Sequence, residues 1–202
     1  MQQELKSELT KQLIIDQAFQ LFYENGFKTT SVEKVMQATS LTKGAFYHHY
    51  KSKKELALAV ISAKIERKVY EAMVLPLYEN GVALTVLEQT FVTRMKSFSL
   101  YEKTNGCVLN NLINEIGGYE TAYQDALKGI IEDWKTALIA LIERGKAEGN
   151  IHDLVSSSAT AVYLISSFEG IRGIRKLYTD DHIVDEYLLG LSSYISHLST
   201  GA

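Results

Sequence analysis

Apolar positions recur along this chain with the period of an α-helix and nowhere with the alternation of a half-buried strand. Ile14, Ala18, Leu21 and Phe22 predict a first helix over about 7 to 25, stopped at Gly26 in a left-handed turn with Phe27 folding back. Thr30 and Glu33 form a candidate capping box for a second helix, and a third covers about 42 to 49. A fourth runs from about 52 to 75, where Leu75-Pro76 closes it, because proline disfavours helix at the residue before it. At 1.5 Å per residue it would be on the order of 36 Å long, a stiff connector to the downstream helices. Beyond a break at Asn80-Gly81, the residues Val82, Val86, Leu87, Phe91, Met95 and Phe98 mark a helix over about 82 to 101. A turn at Lys103-Thr104-Asn105-Gly106 leads to another over about 108 to 116, ended by Gly117-Gly118. Tyr123, Leu127, Ile130, Trp134, Leu138 and Leu141 carry a long helix up to Glu148-Gly149-Asn150. Asp153 is placed to cap a helix reaching about 177. Asp180 or Asp181 is placed to cap a last one with Val184, Tyr187, Leu188, Leu191, Tyr194, Ile195 and Leu198. The pattern predicts an all-α protein of about nine helices with no internal repeat.

Composition narrows the class. A hydrophobic content of 46% over 202 residues is enough for a real core, and one proline with 13 glycines leaves little room for long linkers. No run of about 18 apolar residues could span a bilayer, so no membrane partner is expected. The start Met1-Gln2-Gln3-Glu4 lacks the basic-then-apolar layout of a secretory signal. A single cysteine excludes an internal disulfide and suits a reducing cytoplasm, the expected location. The five histidines and one cysteine form no pair at zinc spacing. His48 and His49, adjacent on a helix, point about 100° apart and cannot share a metal. There is no Gly-rich phosphate loop, no G-x-S-x-G and no cysteine with an evident His/Asn set, so neither an enzyme nor a cofactor is expected.

Charge changes the picture more. Residues 1–68 hold eleven Lys/Arg against seven Asp/Glu, whereas 69–202 hold ten against seventeen, in a chain of net charge -3. The basic part contains a segment in which Lys28, Lys34, Lys43, Lys51, Lys53 and Lys54 face the single acid Glu33. Two short helical patterns there flank a polar Thr39-Ser40 joint, the layout of a DNA-binding helix-turn-helix over about 31 to 50. On the second of them, Phe46 and Tyr50 fall on one face and can pack on a core. Gly44, Ala45 and His48 point the other way, small enough at the centre to let the helix sit deep in a major groove and meet base edges. Lys43 and Tyr47 lie on one flank and His49 on the other, placed for phosphates. Lys53 adds a cation to a helix start suited to a phosphate.

This segment resembles the TetR family of bacterial regulators. The match runs through Thr30-Ser31-Val32, Val35, Thr42-Lys43-Gly44, Phe46-Tyr47, His49-Tyr50, Ser52-Lys53 and Leu56, preceded by Ile14-Ile15, Ala18, Leu21-Phe22 and Gly26-Phe27. Met36, Phe46 and Tyr50 depart from the usual residues but keep the apolar role. The resemblance implies a DNA-binding domain over 1–54, with Thr30, Ser31, Thr42, Lys43, Gly44, Ala45, Tyr47, His48, His49 and Lys53 at the DNA, and a ligand-binding and dimerisation domain over 55–202. It implies a repressor that binds a near-palindromic double-stranded operator as a homodimer and is released by a small-molecule effector.

For the effector, the middle helices offer Phe91, Met95, Phe98, Tyr123, Trp134, Tyr163 and Phe168, with Asn110, Asn111, Glu115 and Arg172 as polar anchors; the bland alternative for each aromatic is plain core. Ser166, Gly170 and Gly173 make a small-residue strip, and Tyr187, Leu191 and Tyr194 give the last helix more apolar surface than one-sided packing needs. Either these pack inside the monomer or, as the resemblance implies, they pair two chains through a four-helix bundle. Cys107 opens a helix, where backbone amides favour a thiolate. Its surroundings, Gly106, Leu112 and Glu115, are similar to an electrophile-sensing branch of the same family, so it is either a sensor or a small apolar plug. A helical interaction module that has lost DNA binding would show a disrupted Lys43-to-Lys53 surface, and that surface is intact.

Overall fold

The computed structural model describes residues 2–201. Its helices are α1 (Gln2–Asn25), α2 (Val32–Thr39), α3 (Lys43–His49), α4 (residues 53–78), α5 (Ala83–Lys96), α6 (Leu100–Asn105), α7 (Val108–Ile116), α8 (Thr121–Ala147), α9 (Ser157–Ile174) and α10 (His182–Ser196). Among the described residues the only pairing of extended backbone is one isolated antiparallel bridge, Ile151 with Ser199. The all-α expectation is met.

Departures from the expected boundaries have local causes. The α and π turns of α4 stop at Val74, as expected before Pro76, but a 3-10 segment, Leu75–Tyr78, prolongs the helix with Pro76 in its first turn, where its missing N–H costs nothing. Upstream, α4 widens into π turns at Ile61–Glu66 and Tyr70–Val74, so the connector is helical but not a regular α rod. The helix expected over 82 to 101 is two helices, because Ser99 and Glu102 form a capping box that starts α6 afresh. The expected Thr30 and Glu33 box is absent, and Ser31 caps α2 instead, accepting from the Lys34 amide. Ser156 caps α9, three residues after Asp153. Of the two acids expected at the start of α10, Asp180 accepts from the His182 amide at 3.2 Å, whereas the Asp181 carboxylate is taken by Lys103 and Arg175.

Packing gathers the chain into two compact units. The first holds the residues up to Arg67 together with Val108–Lys128, and the second Lys68–Cys107 together with Gly129 onward. Compactness therefore divides the chain elsewhere than at the motif boundary near residue 54, because α7 and the start of α8 belong with the N-terminal helices.

In the first unit α1 packs on α2 and α4, burying Ile14, Ala18 and Phe22 with Val35, Phe46 and Leu56 from the following helices. The turn after α1 leaves backbone amides without helical partners. Gly26 takes the left-handed conformation there, φ +84°. Glu115 at the far end of α7 then accepts from the amides of Phe27 (2.5 Å) and Lys28 (3.3 Å). The Phe27 ring meets Tyr123 edge-on at 5.6 Å between centroids. Glu115 and Tyr123, candidates for effector contacts, instead fasten the end of α1.

The second unit is built on a core that includes Phe91, Trp134 and Phe168, with α10 packed along α5. Arg144 closes the end of α4, donating to the carbonyls of Glu79 (3.0 Å) and Gly81 (3.1 Å).

Gly26→Ala should lower the unfolding free energy by about 1–3 kcal/mol, since a side chain at positive φ is strained and its Cβ would collide with the Glu115 carboxylate. Glu115→Ala should cost a similar amount by leaving two amides unpaired, on the order of 1–3 kcal/mol. Urea unfolding followed by circular dichroism measures both, and unchanged midpoints would remove this tether from the account.

Candidate functional site

The helix-turn-helix is assembled by small polar caps and one apolar anchor. Ser40 ends α2 in the left-handed conformation, φ 55°, with its amide returned to the carbonyls of Met36 and Gln37. Thr42 starts α3 by accepting from the Ala45 amide at 3.3 Å. Phe46 is completely buried, and Tyr50 is buried beside it with ring centroids 5.9 Å apart. Burial pushes the Tyr50 hydroxyl up to about 12.

The opposite face of α3 is open. Gly44 and His48 are exposed, Ala45 is half-buried, and Tyr47 is 55% exposed despite its size. Lys43 pairs with Glu33 at 2.8 Å, both side chains largely in water. The Lys43 ammonium, hydrogen-bonded to it, holds the Glu33 carboxyl near 2. An exposed pair of this kind contributes little, so Lys43 can exchange Glu33 for a phosphate at little cost. His49 is half-buried, and burial lowers its imidazole below the usual range, leaving it neutral at pH 7.

Two of the residues expected at the DNA face are engaged elsewhere. Thr30 is buried, and its hydroxyl donates to the Gly26 carbonyl at 2.8 Å. Lys53 donates to the Phe27 carbonyl at 2.5 Å with its ammonium 4.0 Å over the Phe27 ring, and burial lowers its pKa. Both satisfy the turn after α1. Ser31 and Thr42 keep capping roles, so their hydroxyls already hold amides.

In the second unit, α5, α6, α9 and α10 enclose a cavity of about 140 Å³. Met95, Phe98, Val184 and Leu188 form its apolar wall, and Glu102, Lys103, Arg172, Arg175 and Asp181 its polar rim. The Phe98 ring has two guanidiniums against it, Arg94 and Arg172, each 4.3 Å from the centroid. Asp181 is shared by Lys103 and Arg175, both at 2.6 Å, and Glu102 by Lys68 (2.8 Å) and Arg94 (3.1 Å). Burial would raise the Glu102 carboxyl, but Lys68 and Ser99 outweigh it and hold it near 2.

Of the effector candidates, Met95, Phe98 and Arg172 line this cavity. Phe91, Trp134 and Phe168 pack on one another, with Trp134 and Phe168 edge-on at 5.8 Å, and are solid core. Tyr163 is exposed beside Tyr194. Asn110, Asn111 and Cys107 do not line the cavity. Lys103, Arg175 and Asp181 escape a reading of the sequence, because Lys103 and Asp181 are 78 residues apart and leave no local pattern.

Cys107 is 4% exposed and hydrogen-bonds to Glu169, a carboxyl that burial raises. A thiol so covered is out of reach of an electrophile in solution, which fits the plug better than the sensor.

The small-residue strip and the apolar residues of α10 part ways. Ser166, Gly170 and Gly173 are exposed, and a Cβ added at Gly170, Gly173 or Gly190 would meet nothing within 4 Å. Val162, Ile174 and Leu189 are exposed as well, Leu189 at 74%. Leu191, by contrast, is buried within the chain, and Tyr187 is half-buried with its hydroxyl 3.5 Å from that of Ser167. These two face the chain's own core because the inward stripe of α10 runs through Val184, Leu188, Leu191 and Ile195.

Residues 14–60 match the family described as "Bacterial regulatory proteins, tetR family", and residues 84–189 match "Tetracyclin repressor-like, C-terminal domain". Among curated relatives, the transcriptional regulator AcuR of Cereibacter sphaeroides is 26% identical over 148 residues, 72% of this chain and 66% of AcuR, so the chain spans just under two thirds of that relative. The transcriptional repressor DhaR of Mycobacterium sp. is 22% identical over 183 residues, 88% of each chain. A crystal structure of a TetR transcriptional regulator from Chloroflexus aurantiacus superimposes with a TM-score of 0.85 at 24% identity, covering 96% of this chain and 98% of that one.

Proposed function

Because the chain belongs to the TetR family of transcriptional regulators, we propose that it is a repressor that grips a near-palindromic operator as a homodimer and releases it when a small molecule fills the C-terminal cavity. The family is one of regulators rather than enzymes. The observation that carries the reading is the open face of α3: Gly44, Ala45 and His48 toward base edges, with Lys43 and Tyr47 beside them, backed by a fully buried Phe46. Ala45 and His48 set sequence preference, while Lys43 and Tyr47 hold the backbone. One such helix reads too few bases for a unique site, and two related heads read half-sites about 34–36 Å or more apart.

The exposed small-residue strip on α9, continued by Ile174 and Leu189, supports pairing through the last two helices. For release, the ligand needs only to favour the DNA-incompetent state; a 100-fold differential, about 2.7 kcal/mol, lowers operator affinity substantially. The chain offers a short route. Arg172 of the cavity donates to the Gly106 carbonyl at 3.2 Å, and Gly106 is two residues before α7, the helix whose other end carries Glu115 to the Phe27 amide. A cysteine-sensing version through Cys107 draws no support from a buried thiol.

Mobility shifts on operators selected from a random duplex library test the DNA reading. Lys43→Ala and Tyr47→Ala should weaken binding to all duplexes, with Lys43→Ala reducing the salt slope by about 1. Ala45 and His48 variants should reorder the preferred sequences instead. Full affinity in both the Lys43 and Tyr47 variants would take α3 out of the interface.

Assembly is checked by light scattering, which should give about twice the 22.7 kDa chain mass. Gly170→Glu, which places a charge on the open strip, should give folded monomers with operator affinity reduced at least tenfold. A native protein that stays monomeric at micromolar concentration would defeat the dimer.

A further inference from the structure

We propose that the C-terminal cavity takes a small monocarboxylate, its anionic group paired with Arg172 and its flat or short apolar body laid along Phe98, Val184 and Leu188. This rests on the reading of that cavity as the effector site. The starting observation is a largely covered cation at the cavity wall, held there by a long ion pair. The Arg172 side chain is 11% exposed, and one terminal nitrogen donates to the Gly106 carbonyl. The other stands 3.6 Å from Glu169 Oε1, beyond hydrogen-bond length, and Glu169 Oε2 has no hydrogen-bond partner among the described residues. Burial raises the Glu169 carboxyl, while Arg172 and Cys107 beside it pull the other way. Arg172 is thus paired with Glu169 only loosely, and its guanidinium keeps N–H donors that a ligand can complete.

The rim points the same way. Asp181 and Glu102 are each shared between two cations, so positive charge is in surplus around the opening. Asp185, the other acid in the lining, is exposed, where water screens it. A cationic ligand would have to enter beside Arg172 against that surplus. A neutral one would leave the guanidinium as it is. A carboxylate meets the fork of Arg172 in the geometry that guanidiniums favour.

Size and shape set the rest. A cavity of about 140 Å³ is close to the roughly 150 Å³ engineered cavity that holds benzene, so the body is a single ring or a chain of about six carbons. Phe98 already carries both Arg94 and Arg172 at 4.3 Å from its centroid, so the ligand's body rests mainly on Val184 and Leu188 beside it.

The test is calorimetry on the full-length protein with three matched pairs: benzoate and benzamide, cyclohexanecarboxylate and its amide, hexanoate and its amide, with benzylamine as the cation. At least one carboxylate should bind tenfold or more tighter than its amide, and benzylamine should not bind. Arg172→Gln should bring that carboxylate down to the level of its amide while the far-ultraviolet circular dichroism stays native. Should Arg172→Gln fail to fold, Val184→Phe, which fills the cavity and leaves every charge in place, should abolish carboxylate binding. The proposal is overturned if no pair shows a carboxylate preference, or if Val184→Phe or a folded Arg172→Gln binds the carboxylate as the native protein does. Operator binding without any ligand is measured in parallel. A protein that binds operator but no carboxylate has the wrong ligand class assigned, whereas one that binds a carboxylate but no operator fails as a regulator.

Discussion

A seven-residue helix has no stability of its own in water, so whatever α3 does to DNA depends on the burial of Phe46 beneath it. That ring and Tyr50 hold one side of the helix against the N-terminal core, which frees the other side to be small and polar. Short caps do the remaining work of placement. Ser31 and Thr42 start the two helices, Ser40 turns the chain between them, and buried Thr30 ties the preceding turn to Gly26. That turn is itself held from the middle of the sequence, by Glu115 on the Phe27 and Lys28 amides and by Tyr123 on the Phe27 ring. The reading head is thus a fold of N-terminal residues finished by α7 and the start of α8.

Two arginine- or lysine-to-carboxylate arrangements show how position decides meaning. Lys43 and Glu33 form a short pair in full solvent, which contributes little and is easily traded for a phosphate. Arg172 and Glu169, only 11% and 14% exposed, stand 3.6 Å apart, a pair long enough to leave guanidinium donors for a ligand. The first arrangement is suited to exchange, the second to capture of a ligand.

How much can be read from sequence depends on the range of the interactions. The helix-turn-helix is legible because its caps, its anchor and its open face lie within about twenty consecutive residues, where helical period alone sorts inward Phe46 from outward His48. Thr30 and Lys53 are easily misplaced, because a polar side chain near a helix start serves a backbone carbonyl as readily as a phosphate, and only the tertiary position of the turn decides. The role of Glu115 is beyond reach, since its partner lies 88 residues away. In the second unit, periodicity finds the apolar faces of Phe91, Phe98 and Phe168 but carries no information on which close into solid core and which border a void. The acid of Asp181 looks like a helix cap and is spent on Lys103 and Arg175, 78 and 6 residues distant.

In the proposed repressor, two copies of the α3 face read one duplex together. Hydroxyl-radical footprinting of the native protein on a selected operator tests it most directly. Two protected patches are expected on one face of the DNA, related by the operator's symmetry and at least about 34–36 Å apart. A single protected patch, or protection that does not depend on sequence, would contradict it.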